Sequence, residues 1–427
     1  MPSSFQRWFI AVMGTVLQVG LGTVYAWSFF QNPMKAHFGL SGDSAIAWIF
    51  SLAICFLGLG AALGGLLLPR TGPRKLALAG AVLYPLGWLL GSLGLSLPSL
   101  PVLYLGFGVL GGLGLGLGYV TPVATVARWF PDRKGLVTGM VLMGFGFGAL
   151  FMSKVIGPWL MSAFQDDLAA VFRQGGLIVA ILCLPAAAFI RNPPPGFQPP
   201  ALPSSTFPSG PAILAAPLDL KASSCLRSGR FALMWLIFFC NITAGIMFIG
   251  FQSPMLQDLL VASGSTLNDA GLKAVGATLI AVSSVFNGVG RMAWGGAADR
   301  IGRIQAFRLI LASQLLVFVL LVFIPNPWVF GALVCYILLC YGGGFGTMPA
   351  YVLDSFGPRL MPVVYGTLLT AWSLGGIAGP QLVALIKDTV APASQGAWTF
   401  GAGAALLGLG LGLSFRLDNR PFEPRTR

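Results

Sequence analysis

Apolar residues run along this chain in long stretches, and polar residues are confined to the gaps between them. A helix that crosses a bilayer needs roughly 20 apolar residues. Twelve stretches meet that length, over 8–30, 46–68, 76–97, 101–126, 135–161, 170–191, 231–257, 273–298, 305–325, 327–351, 361–387 and 396–415. The first follows MPSSFQRW and carries no A-x-A site before further helices, so it reads as a retained helix and not a leader. The expected fold is an all-α integral membrane protein of twelve transmembrane helices in two six-helix halves. Glycine is abundant (58 residues) and lies inside the apolar runs; Gly111, Gly112, Gly114, Gly116 and Gly118 form a ridge of small residues. Such ridges let helix backbones approach closely where lipid is the solvent.

One segment breaks the pattern. Residues 192–230 hold NPPPGFQPPALPSSTFPSGP and then Lys221, Arg227 and Arg230. Proline at that density forbids a helix, and the segment reads as a cytoplasmic linker between an N-terminal bundle (1–191) and a C-terminal bundle with a short tail (231–427). The halves echo each other. GLLLPRTGPRK (65–75) follows the second stretch and GGAADRIGR (295–303) follows the eighth, so Gly65, Arg70 and Gly72 recur 230 residues later as Gly295, Arg300 and Gly302. A weaker echo pairs RWFPDRKGLVTG (128–139) with SFGPRLMPVVYG (355–366). Two six-helix repeats around a linker are the plan of a secondary transporter.

Composition agrees: 56% of residues are hydrophobic and 9% charged, against about 25% charged in a soluble domain. The net charge of +13 would point to nucleic acid in a soluble chain. Here Lys35, Lys154, Arg173, Lys273 and Lys387 lie at one set of helix ends, and nearly all the other Lys and Arg residues at the opposite set. The positive-inside rule accounts for that asymmetry, places both termini in the cytoplasm, and leaves no role for nucleic acid. Six cysteines without a CxxC pair, and a lone His37 in an outer loop, give no support to zinc or thiol chemistry. No cofactor is implied, and the absence of a Ser/His pair, acidic pair or metal cluster in the apolar runs argues against an intramembrane enzyme.

Arg291 is the exception to the charge pattern. It lies inside the eighth stretch, eight residues before Asp299, which puts it about 12 Å from the inner end. An arginine at that depth costs at least ~2.5–3.5 kcal/mol and should face a cavity. No acidic residue lies at comparable depth in any stretch, so an anionic substrate is the natural partner, and a guanidinium matches a carboxylate in bidentate fashion. Asn287, one turn earlier, is expected on the same face, where it would orient the guanidinium, contact the substrate or join helices.

GGAADRIGR resembles the signature loop of the major facilitator superfamily, with Asp299, Arg300 and Arg303 in its charged positions; the first copy carries Arg70 and Arg74 but has Pro69 where the superfamily has aspartate. ARWFPDRKGLVTGMVLMGFGFG (127–148) and FNGVGRMAWGGAADRIGR (286–303) resemble the monocarboxylate transporter family, its bacterial L-lactate:proton symporters above all, and the related oxalate–formate exchangers. The resemblance implies that Arg291 binds a substrate carboxylate and that Tyr119, Tyr341 and Phe345 line the cavity. Leu142 and Phe145 would wall a substrate methyl group. The exchangers carry a second cation in YGFFWAAK, whereas the equivalent YGTLLTAW ends on Trp372. One buried cation suits one carboxylate. Interfacial anchoring is the other reading of Tyr119, and plain packing of the remaining aromatics. The expectation is a monomeric carrier in the bacterial inner membrane that moves a short monocarboxylate, L-lactate first (with pyruvate or acetate as variants), together with a proton. Carboxylate exchange is the alternative.

Overall fold

The structure, a computed structural model, describes residues 4–130, 134–194, 197, 221–357 and 359–422. Twelve helices are long and apolar enough to cross a membrane: α1 (Gln6–His37), α2 (Ser44–Thr71), α3 (Pro73–Ser96), α4 (Leu100–Trp129), α5 (Val137–Ala163), α6 (Leu168–Phe189), α7 (Gly229–Ala262), α8 (Asp269–Ile301), α9 (Arg303–Phe323), α10 (Pro327–Phe356), α11 (Met361–Thr389) and α12 (Pro392–Ser414). No strand occurs among the described residues. The face on which α1 begins and α12 ends is called basal below, the other apical.

Most helices are longer than the apolar stretches. With 34 residues, α7 is about 51 Å long at 1.5 Å per residue, well beyond the hydrocarbon core. Gly229 and Arg230, assigned to the linker by proline density and charge, belong to its first turns, and Ala222–Leu226 forms a short helix before it. Ser228 caps α7, its hydroxyl accepting from the Phe231 N–H at 3.1 Å, which lets the helix begin ahead of the apolar run. The rest of the linker expectation, residues 195–196 and 198–220, lies outside the described residues, as do positions 131–133 of the RWFPDRKG motif.

The repeated glycines have a stereochemical reason. Gly72 (φ 76°, ψ 161°) and Gly302 (φ 96°, ψ 148°) each form the single-residue turn between consecutive helices, in a backbone region open essentially to glycine alone. The motif charges differ between the copies. Arg303 pairs with Asp299 at 2.5 Å and with Asp354 of α10 at 2.9 Å, tying α8, α9 and α10 at the basal face. Arg70, Arg74 and Arg300 are exposed and join no ion pair among the described residues. With Pro69 in place of an acid, the first copy has nothing equivalent there.

Packing is dense within α1–α6, where α3 lies on α4 and α6, and α1 on α5; it is equally dense within α7–α12, where α8 lies on α10, and α9 on α12. The seam between the two sets is formed by α2 along α11 and α5 along α8. Large apolar side chains such as Ile181, Phe323 and Leu105 point outward, a surface that lipid solvates and water does not. Four irregularities lie within the spans: a 3₁₀ turn at Thr23–Ala26 of α1, π-helical turns at Tyr104–Gly111 of α4 and Met152–Ile156 of α5, and a break in α11 between Leu368 and Thr370. The first and last flank the centre of the seam.

Candidate functional site

Arg291 lies at that centre, 1% exposed. It is held there by α8 and α10, which meet backbone to backbone. A Cβ on Gly346 would overlap the Arg291 carbonyl, one on Gly342 the Asn287 carbonyl, and one on Gly290 the Leu339 carbonyl. The glycines of CYGGGFG therefore set how far Arg291 projects.

Its guanidinium meets aromatic rings and no carboxylate. Nη1 donates to the Tyr119 hydroxyl at 3.3 Å, across the seam from α4. The cationic carbon lies 4.9 Å from the Phe345 ring centroid and 5.7 Å from that of Phe145, placements in which ring faces partly compensate a desolvated cation. Nε and Nη2 have no hydrogen-bond partner. Besides Arg7 and Asp43, both near helix ends, Arg291 is the charged side chain buried among the described residues.

Around it stands a cage drawn from both sets of helices. Trp372 of α11 packs 4.6 Å from Phe345, 5.1 Å from Tyr119 and 5.7 Å from Phe145 between ring centroids. Tyr341 packs 5.2 Å from Phe345. Every one of these side chains is buried.

The residues singled out in the sequence thus divide. Arg291, Tyr119, Tyr341, Phe345, Phe145 and Trp372 meet in one cluster. Leu142 is buried one turn before Phe145 in the apolar core. Asn287 is buried but makes no hydrogen bond to Arg291; its Oδ1 lies against Gly342 of α10 without a hydrogen-bond partner, the placement of the helix-joining alternative. Its turn of α8 is pressed onto α10, which directs the carboxamide at that helix and away from the guanidinium. Asp299, Arg300, Arg303, Arg70 and Arg74 are all basal and far along the helices from the cage.

Two cage members were not foreseen. Tyr25, in the 3₁₀ turn of α1, shares a 2.6 Å hydrogen bond with Tyr341 across the seam. Tyr365 of α11 places its hydroxyl beside that of Tyr119 without completing a hydrogen bond. A tyrosine within an apolar run was the signal available for each.

The cage is closed toward both faces. Apically, the Ser373 hydroxyl donates to the Cys55 carbonyl at 2.6 Å and Gln381 Nε2 to the Ser51 hydroxyl at 3.3 Å. Farther out, Asp388 of α11 accepts from the backbone N–H groups of Asp43 and Ser44 at 2.7 and 3.1 Å and from the Ser44 hydroxyl at 2.6 Å. The N-terminus of α2 has no cap from its own residues, so the opposite set of helices supplies one. Basally, Gly65 and Ala61 of α2 lie against Pro362 and Gly366 of α11.

The sequence model of the Major Facilitator Superfamily matches residues 11–380. The chain is a member of the Major Facilitator Superfamily. It is accordingly a multi-pass membrane transporter and not an enzyme. Among relatives of this superfamily member, the oxalate:formate antiporter of Oxalobacter formigenes is 28% identical over 383 residues, covering 89% of this chain and 85% of that protein. Apicoplast pyruvate carrier 1 of Toxoplasma gondii is 27% identical, covering 81% and 70%. Monocarboxylate transporter 13 of Bos taurus is 27% identical, covering 88% and 80%. A crystal structure of a bacterial homolog of the human lysosomal transporter Spinster, inward-facing and unoccupied, shares the fold with a TM-score of 0.68 at 14% identity, covering 97% of each chain.

Proposed function

We propose that this transporter carries short monocarboxylates, L-lactate first, by alternating access in symport with a proton. The observation that carries the reading is Arg291: a fully buried guanidinium with two unbonded nitrogens and no carboxylate partner within an aromatic cage. A substrate carboxylate supplies what the site lacks, two acceptor oxygens and one negative charge. The rings of Phe145, Phe345 and Trp372, with Leu142 behind Phe145, offer an apolar wall to a short carbon chain. The carboxylate and pyruvate carriers among the relatives support the same class of substrate.

In this reading the units 1–191 and 231–427 rock about the cage, joined by the segment 192–230, in a monomer. The basal face, rich in lysine and arginine, is cytoplasmic, and the membrane is the bacterial inner membrane. Substrate binding neutralises Arg291, which lowers the cost of closing the site to water, so the loaded carrier crosses more readily than the empty one. No carboxylate or histidine is buried in the cage among the described residues, so the proton travels with the substrate or on a group nearer the surface.

Uptake of L-lactate into vesicles is expected to saturate, to run faster at external pH 6 than at pH 8, and to lose that difference when an uncoupler collapses the proton gradient. Saturable uptake indifferent to pH but accelerated by internal substrate would replace symport with carboxylate exchange, the reading favoured by the oxalate:formate relative.

The Asp388 cap bears on the same cycle. It stabilises the apically closed state, and a cap is worth ~1 kcal/mol. Asp388→Ala should therefore shift the equilibrium about fivefold toward apical opening. Spin labels on exposed Leu97 and Leu267 (with Cys55 replaced by alanine) would report it as a larger share of the long distance. An unchanged distance distribution would remove the cap from the gate.

A further inference from the structure

The cage holds more hydrogen-bonding capacity than a bare carboxylate uses. On the substrate reading above, the two carboxylate oxygens occupy Arg291 Nε and Nη2. Two further polar groups, both on α11, remain unpartnered and fully buried: the Trp372 indole N–H and the Tyr365 hydroxyl. Neither is remote. The Trp372 ring lies 5.1 Å from that of Tyr119 and 4.6 Å from that of Phe345, the ring over which Arg291 is placed. Beyond Phe345 stands Tyr341, its ring 5.2 Å from that of Phe345 and its hydroxyl engaged with that of Tyr25 at 2.6 Å. Tyr365 stands beside Tyr119, the residue that holds Arg291 Nη1.

An indole N–H can only donate. Left unpaired in a buried site, it carries a desolvation cost. That cost is removed by an acceptor oxygen carried on the substrate, close to the carboxylate and not part of it. A second carboxylate would need a second cation, and no other buried charge is present in the cage among the described residues.

We propose that Trp372, seconded by Tyr365, is the specificity determinant that selects monocarboxylates bearing an oxygen on the carbon next to the carboxylate over unsubstituted ones of the same length. The carboxylate docks on Arg291, and the 2-hydroxyl or 2-oxo oxygen accepts from the indole N–H. The break in α11 between Leu368 and Thr370 separates the two groups along the helix, and Trp372 resumes the ladder by donating its backbone N–H to the Leu369 carbonyl at 2.9 Å. The indole orientation thus follows from the irregular turn beneath it.

L-lactate and propionate differ only in the 2-hydroxyl, so their affinity ratio isolates the effect. Displacement of radiolabelled L-lactate from the purified protein would give both constants. In the wild type lactate should bind about tenfold tighter than propionate, the worth of one buried hydrogen bond that the analogue cannot make. Trp372→Phe keeps an aromatic ring and removes the donor. It should bring the two acids within about threefold of each other by weakening lactate alone. Tyr365→Phe, which deletes one oxygen, should narrow the gap less and guards against a tryptophan variant that fails to fold. Equal affinity for the two acids in a wild type that needs Arg291 would overturn the selectivity while leaving the carboxylate site intact. A ratio unchanged in both variants, or equal loss of both acids in Trp372→Phe, would overturn the assignment to Trp372. Binding of neither acid by the wild type would overturn the carboxylate reading and this inference with it.

Discussion

Replacing Arg291 by methionine should reduce L-lactate transport at least about 100-fold while leaving the folded protein no less stable. The two effects have one cause. The guanidinium is desolvated, and two of its nitrogens are unbonded, so in the resting state it is a buried charge compensated only by ring faces and one hydroxyl. Exchanging such a charge for an apolar side chain of similar length is often neutral or stabilising. The bound carboxylate, in contrast, loses two charge-assisted hydrogen bonds, each worth ~1.5–3 kcal/mol, and faces an apolar wall. Arg291→Lys should fail almost as badly, because a single ammonium cannot match both oxygens. Initial rates of uptake in proteoliposomes, with a thermal unfolding scan of the same preparation, would decide the matter. Retained uptake would dismiss the carboxylate site, and a collapse of the melting temperature would make Arg291 a structural residue.

The second large effect is expected from a residue without a side chain. Gly346→Ala places a methyl group onto the Arg291 carbonyl, and the clash is with backbone, which cannot rotate aside. Overpacking of this kind costs ~1–3 kcal/mol. The melting temperature should fall by about 1–3 °C, and substrate affinity should fall with it, because relief of the clash moves the residue that binds. Gly408 is the control: nothing lies within 4 Å of the Cβ it would gain, so Gly408→Ala should be neutral in both assays. Equal behaviour of the two variants would show that α8 and α10 are not seated by these glycines.

Arg291 could be read from the sequence because its signal is local and absolute. A lone cation deep in an apolar run is costly wherever its neighbours lie, so the bilayer forces the inference before any fold is known. The glycines of the turns were legible for a similar reason: Gly72 and Gly302 recur at a fixed spacing, and both adopt backbone angles closed to other residues. Asn287 shows where that reasoning ends. Spacing along α8 set it on the Arg291 side of the helix, but the close approach of α10 at Gly342 turned its carboxamide elsewhere. Tyr25 and Tyr365 were passed over because a tyrosine in an apolar run is equally at home in plain packing. Their part in the cage depends on α1 and α11 breaking regular helix at Thr23–Ala26 and Leu369, and on which helices face them across the seam.

The sequence by itself determined the twelve spans, the repeated halves, the superfamily and the buried cation, since each follows from the one-dimensional cost of placing polar groups in lipid. Only the tertiary structure decided the contacts that surround that cation beyond those the resemblance implied: the Tyr25 and Tyr365 hydroxyls, the turn of Asn287 toward α10, the trans cap of Asp388 on α2, and the two donors on α11 without partners. Those are relations between residues as many as 345 positions apart, as Asp43 and Asp388 are. Local hydropathy carries no information about pairings at that range, which are set by how glycine-lined helices seat against one another.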